Sequence, residues 1–146
     1  MRIPIYQIDA FSSQPFKGNP AAVCPLEEWL PDEVMQSIAM ENNLSETAFF
    51  VKNEDQYDIR WFAPKIEIDL AGHPTLATAH VIFNEMNHQG DSITFNSKIG
   101  DTLDITRNKD IISMNFPSRP PKKIYKKELI EEAIGVEVDE FYENRD

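Results

Sequence analysis

The sequence predicts an α+β domain in which a mixed or antiparallel sheet curls around one central helix. Three observations predict it. The run Leu76-Ala-Thr-Ala-His-Val-Ile-Phe-Asn-Glu-Met86 is apolar on nearly every face, with Ala where packing must be close. A helix apolar all round is a buried helix. Almost every other patterned stretch alternates with period two or is a short apolar run, which marks strands. The chain has 146 residues, 41% hydrophobic and 27% charged. That is a globular composition, long enough for one domain plus part of another.

The central helix has a clear start. Pro74 lacks an N–H and carries a helical φ, which suits the first helical position and makes His73 the expected N-cap. Gly72 allows a tight turn or a close ligand approach just before it. Pro74 to Met86 would span roughly 20 Å at ~1.5 Å per residue. Its N-terminal end collects free N–H groups and partial positive charge, so an anionic ligand belongs there.

In chain order, Ile3, Ile5 and Ile8 lie in a strand pattern ending near Ala10-Phe11. Ser12–Pro15 reads as a loop. Gly18 and Asn19 permit unusual backbone before a short apolar strand through Cys24. Asp32–Asn42 carries Val34, Met35, Ile38 and Ala39 at helical spacing, with Pro31, Asp32 and Glu33 at its start. A strand begins at Thr47. After a polar turn at residues 53–56, Tyr57, Ile59 and Trp61 alternate with Asp58 and Arg60. Ala63-Pro64 breaks that strand. Beyond the central helix, Ile93 with Phe95, Leu103 with Ile105, and Ile112, Met114 and Phe116 mark three strands. The last two are joined by a hairpin turn at Asn108-Lys109-Asp110. Pro117, Pro120 and Pro121 form a linker. Lys126–Ile134 reads as a helix stopped by Gly135, and Val136, Val138, Phe141 and Tyr142 begin a further element. The expected domains are residues 1–117 and, as the first piece of a second, 118–146.

Net charge is −11. Phosphate backbones and anionic membrane surfaces call for Lys/Arg-rich faces, so neither nucleic acid nor membrane is an expected partner. The single cysteine, Cys24, forms no intrachain disulfide and suits a reducing compartment. No apolar run reaches the ~18–20 residues of a membrane span and no signal segment is visible, so a cytoplasmic location is expected.

Two residues could carry chemistry. Glu46 is a lone carboxylate between a helix end and the apolar run Ala48-Phe49-Phe50-Val51. Desolvation there would raise its pKa toward the range useful for general acid/base work; a strand-edge Glu facing water is the plainer alternative. His73, at the helix mouth, is the side-chain type that titrates nearest neutrality; a capping or packing role is its alternative. His80 reads as a satisfied core histidine, His88 as a loop residue, and Cys24 as a packed thiol. Lys122, Lys123, Lys126 and Lys127 read as a solvated basic cluster. No zinc spacing, P-loop or dinucleotide fingerprint is present.

Five motifs occur in order: Asp9-Ala10-Phe11; Phe16-Lys17-Gly18-Asn19-Pro20-Ala21-Ala22-Val23; Asn43-Leu44-Ser45-Glu46-Thr47-Ala48-Phe49; Arg60-Trp61-Phe62-Ala63-Pro64; and Ala71-Gly72-His73-Pro74-Thr75-Leu76-Ala77. Together they resemble the phenazine-biosynthesis PhzF-like family over residues 1 to about 142. The resemblance implies a diaminopimelate-epimerase-like fold of two similar domains, with the active site between their central helices. It implies a cofactor-independent and metal-free isomerase. The named member moves a proton along the conjugated system of a dihydro-hydroxyanthranilate. The family's catalytic glutamate falls on Glu46, with His73 as its catalytic partner. Gly72, His73, Pro74 and Asn19 fall on substrate-binding positions for a small carboxylate. The thiol pair of related epimerases is absent. Family members are about twice this long, so the resemblance implies an N-terminal half, inactive alone, that self-associates or pairs with a missing second domain. The rival expectation is a non-catalytic binding or dimerisation module derived from such an enzyme.

Overall fold

The computed structural model describes residues 2–125 and 128–144. The chain divides into two compact units, Met1–Phe116 and Pro117–Asp146.

The first unit runs β1 (Tyr6–Ala10), β2 (Asn19–Leu26), α1 (Asp32–Asn42), β3 (Glu46–Asn53), β4 (Gln56–Phe62), β5 (Glu67–Ile68), α2 (Gly72–Glu85), β6 (Ser92–Ser97), β7 (Thr102–Asn108) and β8 (Ile111–Asn115). One mixed sheet has the order β1-β2-β3-β4-β6-β7-β8, with β5 added beside β4. The β2–β3 and β4–β6 pairs are parallel and the others antiparallel. Helix α2 packs against β1, β2, β3 and β8. Both outermost strands therefore touch the same helix, so the sheet curls around α2 as an open half-barrel.

Side-chain parity explains which strands look fully apolar. Ala21, Val23, Ala48, Phe50, Tyr57, Ile59 and Trp61 point inward and share one core with Ala77, Val81 and Ile82 of α2. The residues of opposite parity, Cys24, Phe49 and Phe62, meet Met35 and Ala39 of α1 on the outer face. Strands covered on both faces lose polar alternation, and residues 47–50 are buried without interruption. On β6 and β7 the buried apolar residues are Ile93, Phe95, Leu103 and Ile105, and polar residues alternate with them. Full burial of a residue such as Phe50 contributes about 1.5–3 kcal/mol through apolar surface removed from water.

Arg60, on the outer face of β4, pins α1. It donates to both carboxylate oxygens of Glu67 at 2.7 and 2.8 Å and to Asp32 at 2.8 Å. Its guanidinium lies 5.4 Å from the Trp29 ring centroid and 5.2 Å from that of Phe62. Lys98 adds a 2.7 Å contact to Glu67. Helix α1 has the predicted bounds, and Asn43, left-handed at φ 51°, caps it by donating to Ala39 O.

Four expectations change. The central helix starts at Gly72 with Ala71 as N-cap, so His73 and Pro74 occupy its second and third positions instead of the N-cap and first. Proline fits there because all N–H groups of the first turn lack an intrahelical acceptor. The helix is not buried all round: His80, Asn84 and Glu85 are exposed. His80 is thus no core histidine; its Nδ1 lies 3.0 Å from Asn84 Nδ2. It sits on the stripe of α2 left open between the unjoined edges of β1 and β8. Finally, the unusual backbone before β2 falls on Phe11 (φ 65°) and Phe16 (φ 64°), not on Gly18 or Asn19. Asp9 holds that turn by accepting the Phe16 N–H at 2.7 Å. Gly18 is needed for close approach: a Cβ there would lie 2.4 Å from Ala10 O.

In the second unit, β9 (Lys122–Ile124) pairs antiparallel with β10 (Phe141–Glu143), with Ile124 opposite Phe141. Between them lies α3 (Glu128–Ile134), closed by Gly135 at φ 74°. Lys126 and Lys127, predicted as its first residues and as half of the basic cluster, lie outside the described residues. Among the described residues no helix is long and apolar enough to cross a membrane.

Candidate active site at the mouth of the central helix

Glu46 is the first residue of β3 and pairs in parallel register with Ala21 of β2. It has the parity of Ala48 and Phe50, so its side chain points to the concave face where α2 lies. Asn42 Nδ2 donates to Thr47 Oγ1 at 3.2 Å and ties the end of α1 to the start of β3. The chain between them, Asn43-Leu44-Ser45, is thereby held across the mouth of the half-barrel.

His73 reaches the same place from α2. The helix is fixed axially by burial of Pro74, Thr75, Ala77 and Thr78 against the sheet. The two threonine hydroxyls are satisfied within the helix: Thr75 donates to Ala71 O at 2.6 Å and Thr78 to Pro74 O at 2.7 Å. Back-bonding of this kind lets a polar side chain pack in an apolar interface. No side chain caps the first turn of α2, so its N–H groups remain available to a ligand. Gly72 is exposed, and a Cβ built on it meets nothing within 4 Å. Its φ is not positive. Neither a strained turn nor crowding by its own chain calls for a glycine there.

The structure brings Glu46 and His73 together, with Nε2 3.1 Å from Oε2. Their side chains are 10% (His73) and 20% (Glu46) exposed. The approach has ion-pair distance without hydrogen-bond alignment. Glu46 Oε2 is one of two buried side-chain polar atoms without a hydrogen bond among the described residues, the other being Trp61 Nε1. Native proteins satisfy the great majority of such atoms, and a buried carboxylate oxygen with an unused lone pair is suited to accept a proton.

Ser45, which the residue-by-residue reading of the sequence did not single out, completes the group. Its Oγ lies 3.2 Å from His73 Nε2, 3.5 Å from Asn19 Oδ1 and 3.5 Å from Pro20 O. Its position next to Glu46, within one of the five motifs, was the available signal. Asn19, Ser45, Glu46, Gly72 and His73 thus gather at one end of the half-barrel.

Four cavities of about 350, 300, 390 and 440 Å³ are each lined by other residues. The pair stands at the rim of a half-barrel, which supplies a wall on one side only.

The remaining candidates are structural. Tyr57 OH lies 3.3 Å from His88 Nδ1, and His88 Nε2 lies 3.1 Å from Ser92 O, so this loop histidine ties β4 to the start of β6. Cys24 is 1% exposed, and burial pushes its thiol up to about 12. The thiolate is the reactive form, so Cys24 is expected to resist a disulfide reagent in the folded protein and to react once urea unfolds it. Rapid labelling in buffer would contradict that placement. Among the described residues no group of three or more His, Cys, Asp or Glu side chains could hold a metal.

Comparison with known proteins agrees with this architecture. The PhzC-PhzF family, described as phenazine biosynthesis-like protein, matches residues 8–142. An uncharacterized isomerase of Pseudomonas aeruginosa is 46% identical over 136 residues, covering 93% of this chain and 52% of that protein. Phenazine biosynthesis-like domain-containing protein 1 of Mus musculus is 41% identical over 146 aligned residues, with 92% and 50% covered. The crystal structure of an Enterococcus faecalis PhzF-family protein superposes with a TM-score of 0.84 at 48% identity, covering all of this chain and 56% of that one. A predicted epimerase of Pseudomonas aeruginosa shares the fold, with a TM-score of 0.65 at 21% identity. The chain spans about half the length of the curated relatives it matches. Its sequence and its curled sheet around one helix place this chain in the phenazine biosynthesis-like family, some of whose members carry the name isomerase.

Proposed function

We propose that this chain is the N-terminal domain of a cofactor-independent isomerase that moves a proton on a small carboxylate-bearing substrate by general acid/base catalysis. The observation that carries the proposal is the buried, hydrogen-bond-free Oε2 of Glu46, 3.1 Å from His73 Nε2 at the start of α2. Glu46 takes a proton from a substrate carbon and returns it at another. His73 assists the shuttle or binds a substrate oxygen. The uncapped N–H groups at Gly72 and His73 bind the substrate carboxylate. Gly72, with open space where a Cβ would stand, lets that carboxylate approach the backbone, and Asn19 and Pro74 border the same mouth.

One rim-exposed wall neither excludes water nor fixes a substrate, and both are needed for efficient proton transfer from carbon. The 146-residue chain alone is therefore expected to show no isomerase activity toward a dihydroaromatic acid. Activity is expected when the second half of a full-length relative is supplied in trans. Robust turnover by the chain alone, or none in the reassembled protein, would overturn the proposal.

Self-association is expected as well. Among the described residues, β1 and β8 each pair on one side only. Ile5 beside β1 is 54% exposed, Phe11 70% and Ile111 of β8 69%. Unpaired edges flanked by apolar side chains recruit another chain. Sedimentation is expected to show a concentration-dependent dimer, and a strict monomer at high concentration would refute it. A purely non-catalytic dimerisation module would show the same association but no activity in the reassembled protein.

A further inference from the structure

We infer that Ser45 is a positioning residue that draws the Nε2 proton of His73 away from Glu46, so that the buried Oε2 keeps a free lone pair for the substrate. The inference rests on Glu46 being the base and adds the device that keeps it unpaired.

The argument is one of counting donors. Ser45 Oγ has a single proton and three polar neighbours: His73 Nε2 at 3.2 Å, Asn19 Oδ1 at 3.5 Å and Pro20 O at 3.5 Å. The carbonyl of Pro20 is an acceptor however the Asn19 amide is turned. The hydroxyl therefore has an acceptor on the β2 side to which its proton can go. Its lone pairs then face His73. On the other side of the same nitrogen stands Glu46 Oε2 at 3.1 Å. An ionised carboxylate oxygen is acceptor-only, so an unprotonated Nε2 would set two lone pairs against each other in a buried place. A proton on Nε2 removes that conflict. Hydrogen-bond alignment goes to Ser45, while Oε2 makes no hydrogen bond.

The arrangement has a chemical purpose. A histidine that donated squarely to Glu46 would stabilise its ionised form and occupy the lone pair that must take the substrate proton. With the bond directed to Ser45, His73 faces the carboxylate at close range without occupying the lone pair that must take the substrate proton.

The test reads the imidazole directly and needs no turnover. Nitrogen resonances of ¹⁵N-histidine in this chain, detected through the carbon-bound ring protons at neutral pH, report which ring nitrogen is protonated. His73 is expected to carry its proton on Nε2. Ser45→Ala leaves Glu46 Oε2, 3.1 Å away, to accept the Nε2 proton, and charge-assisted bonds are stronger; its His73 Nε2 resonance is expected to move to higher frequency. Ser45→Thr keeps the hydroxyl and is expected to match the wild type. His80 and His88 signals serve as the check that the variants fold. An unprotonated Nε2 in the wild-type chain overturns the inference without recourse to any variant. So does a Ser45→Ala spectrum with His73 unmoved and the other two histidines unchanged. Failure of Glu46 as the base would appear separately, in turnover of the reassembled protein.

Discussion

Glu46→Gln is expected to lower turnover of the reassembled two-domain protein by about 10²–10⁴-fold, the usual contribution of a positioned general acid/base. At 1.36 kcal/mol per decade this is about 3–5 kcal/mol on the barrier. The substitution keeps the shape of the side chain, removes its charge and its capacity to titrate, and turns one acceptor oxygen into an NH2 donor. Stability should barely change. Oε2 makes no hydrogen bond, so the amide breaks none, and Thr47, Ala48 and Phe50, which fix the start of β3, are untouched. The urea midpoint of the variant is expected within about 1 kcal/mol of the parent. Turnover retained within a few-fold, with an unchanged fold, would remove Glu46 from the chemistry. A large loss of stability would instead show that the charge has a structural role.

The fold was legible in the sequence because burial leaves two distinct signatures. Tyr57, Ile59 and Trp61 alternate with polar residues, whereas Ala21–Cys24 and Ala48–Val51 run apolar without a break. The second pattern is what a strand shows when α2 covers one face and α1 the other. Helix α1 was legible to the residue, since Pro31 and Asn43 supply its start and stop chemistry. The start of α2 was displaced because Pro74 tolerates several positions of a first turn, and spacing alone does not choose among them. Its exposed stripe was hidden for another reason. His80 and Asn84 face a gap between β1 and β8, and an open sheet edge leaves no mark on the helix that it fails to cover.

The site was legible only in part. Glu46 and His73 were visible as odd residues in apolar surroundings, but their meeting is tertiary. It follows from strand parity, which turns Glu46 to the concave face with Ala48 and Phe50, and from the depth at which Thr75 and Thr78 seat α2. Ser45 was obscured because a serine at a strand entrance looks like an ordinary turn residue. The role of Gly18 was misplaced for a similar reason. Its conformation is unremarkable, and what forbids a side chain is Ala10 O in a strand eight residues away.

Arg60→Ala is expected to destabilise the first unit by about 2 kcal/mol at neutral pH, and the difference should shrink in acid. Arg60 is 11% exposed and holds Glu67 through two hydrogen bonds. A hydrogen bond to a charged group contributes about 1.5–3 kcal/mol and a cation–π contact about 0.5–1. Glu67 is partly solvated and keeps Lys98 as a partner, so the sum is discounted for screening. The hydrogen bonds from Arg60 are the leading cause that holds the Glu67 and Asp32 carboxyls below their ordinary values. Arg60 itself is shifted further upward and stays charged throughout. A carboxylate depressed by folding contributes stability that is complete above its unfolded pKa, about 4, and is lost as pH falls through the lower folded value. Wild-type stability should therefore fall more steeply than that of Arg60→Ala below about pH 4. The stacking of Arg60 between Trp29 and Phe62 does not titrate, so some difference should survive at the acid end. Urea midpoints of both proteins at intervals from pH 7 to pH 2.5 measure this. A difference that stays constant across the range would show that Arg60 acts through packing alone. No difference at neutral pH would show that Lys98 suffices to hold Glu67 and, with it, the edge of α1.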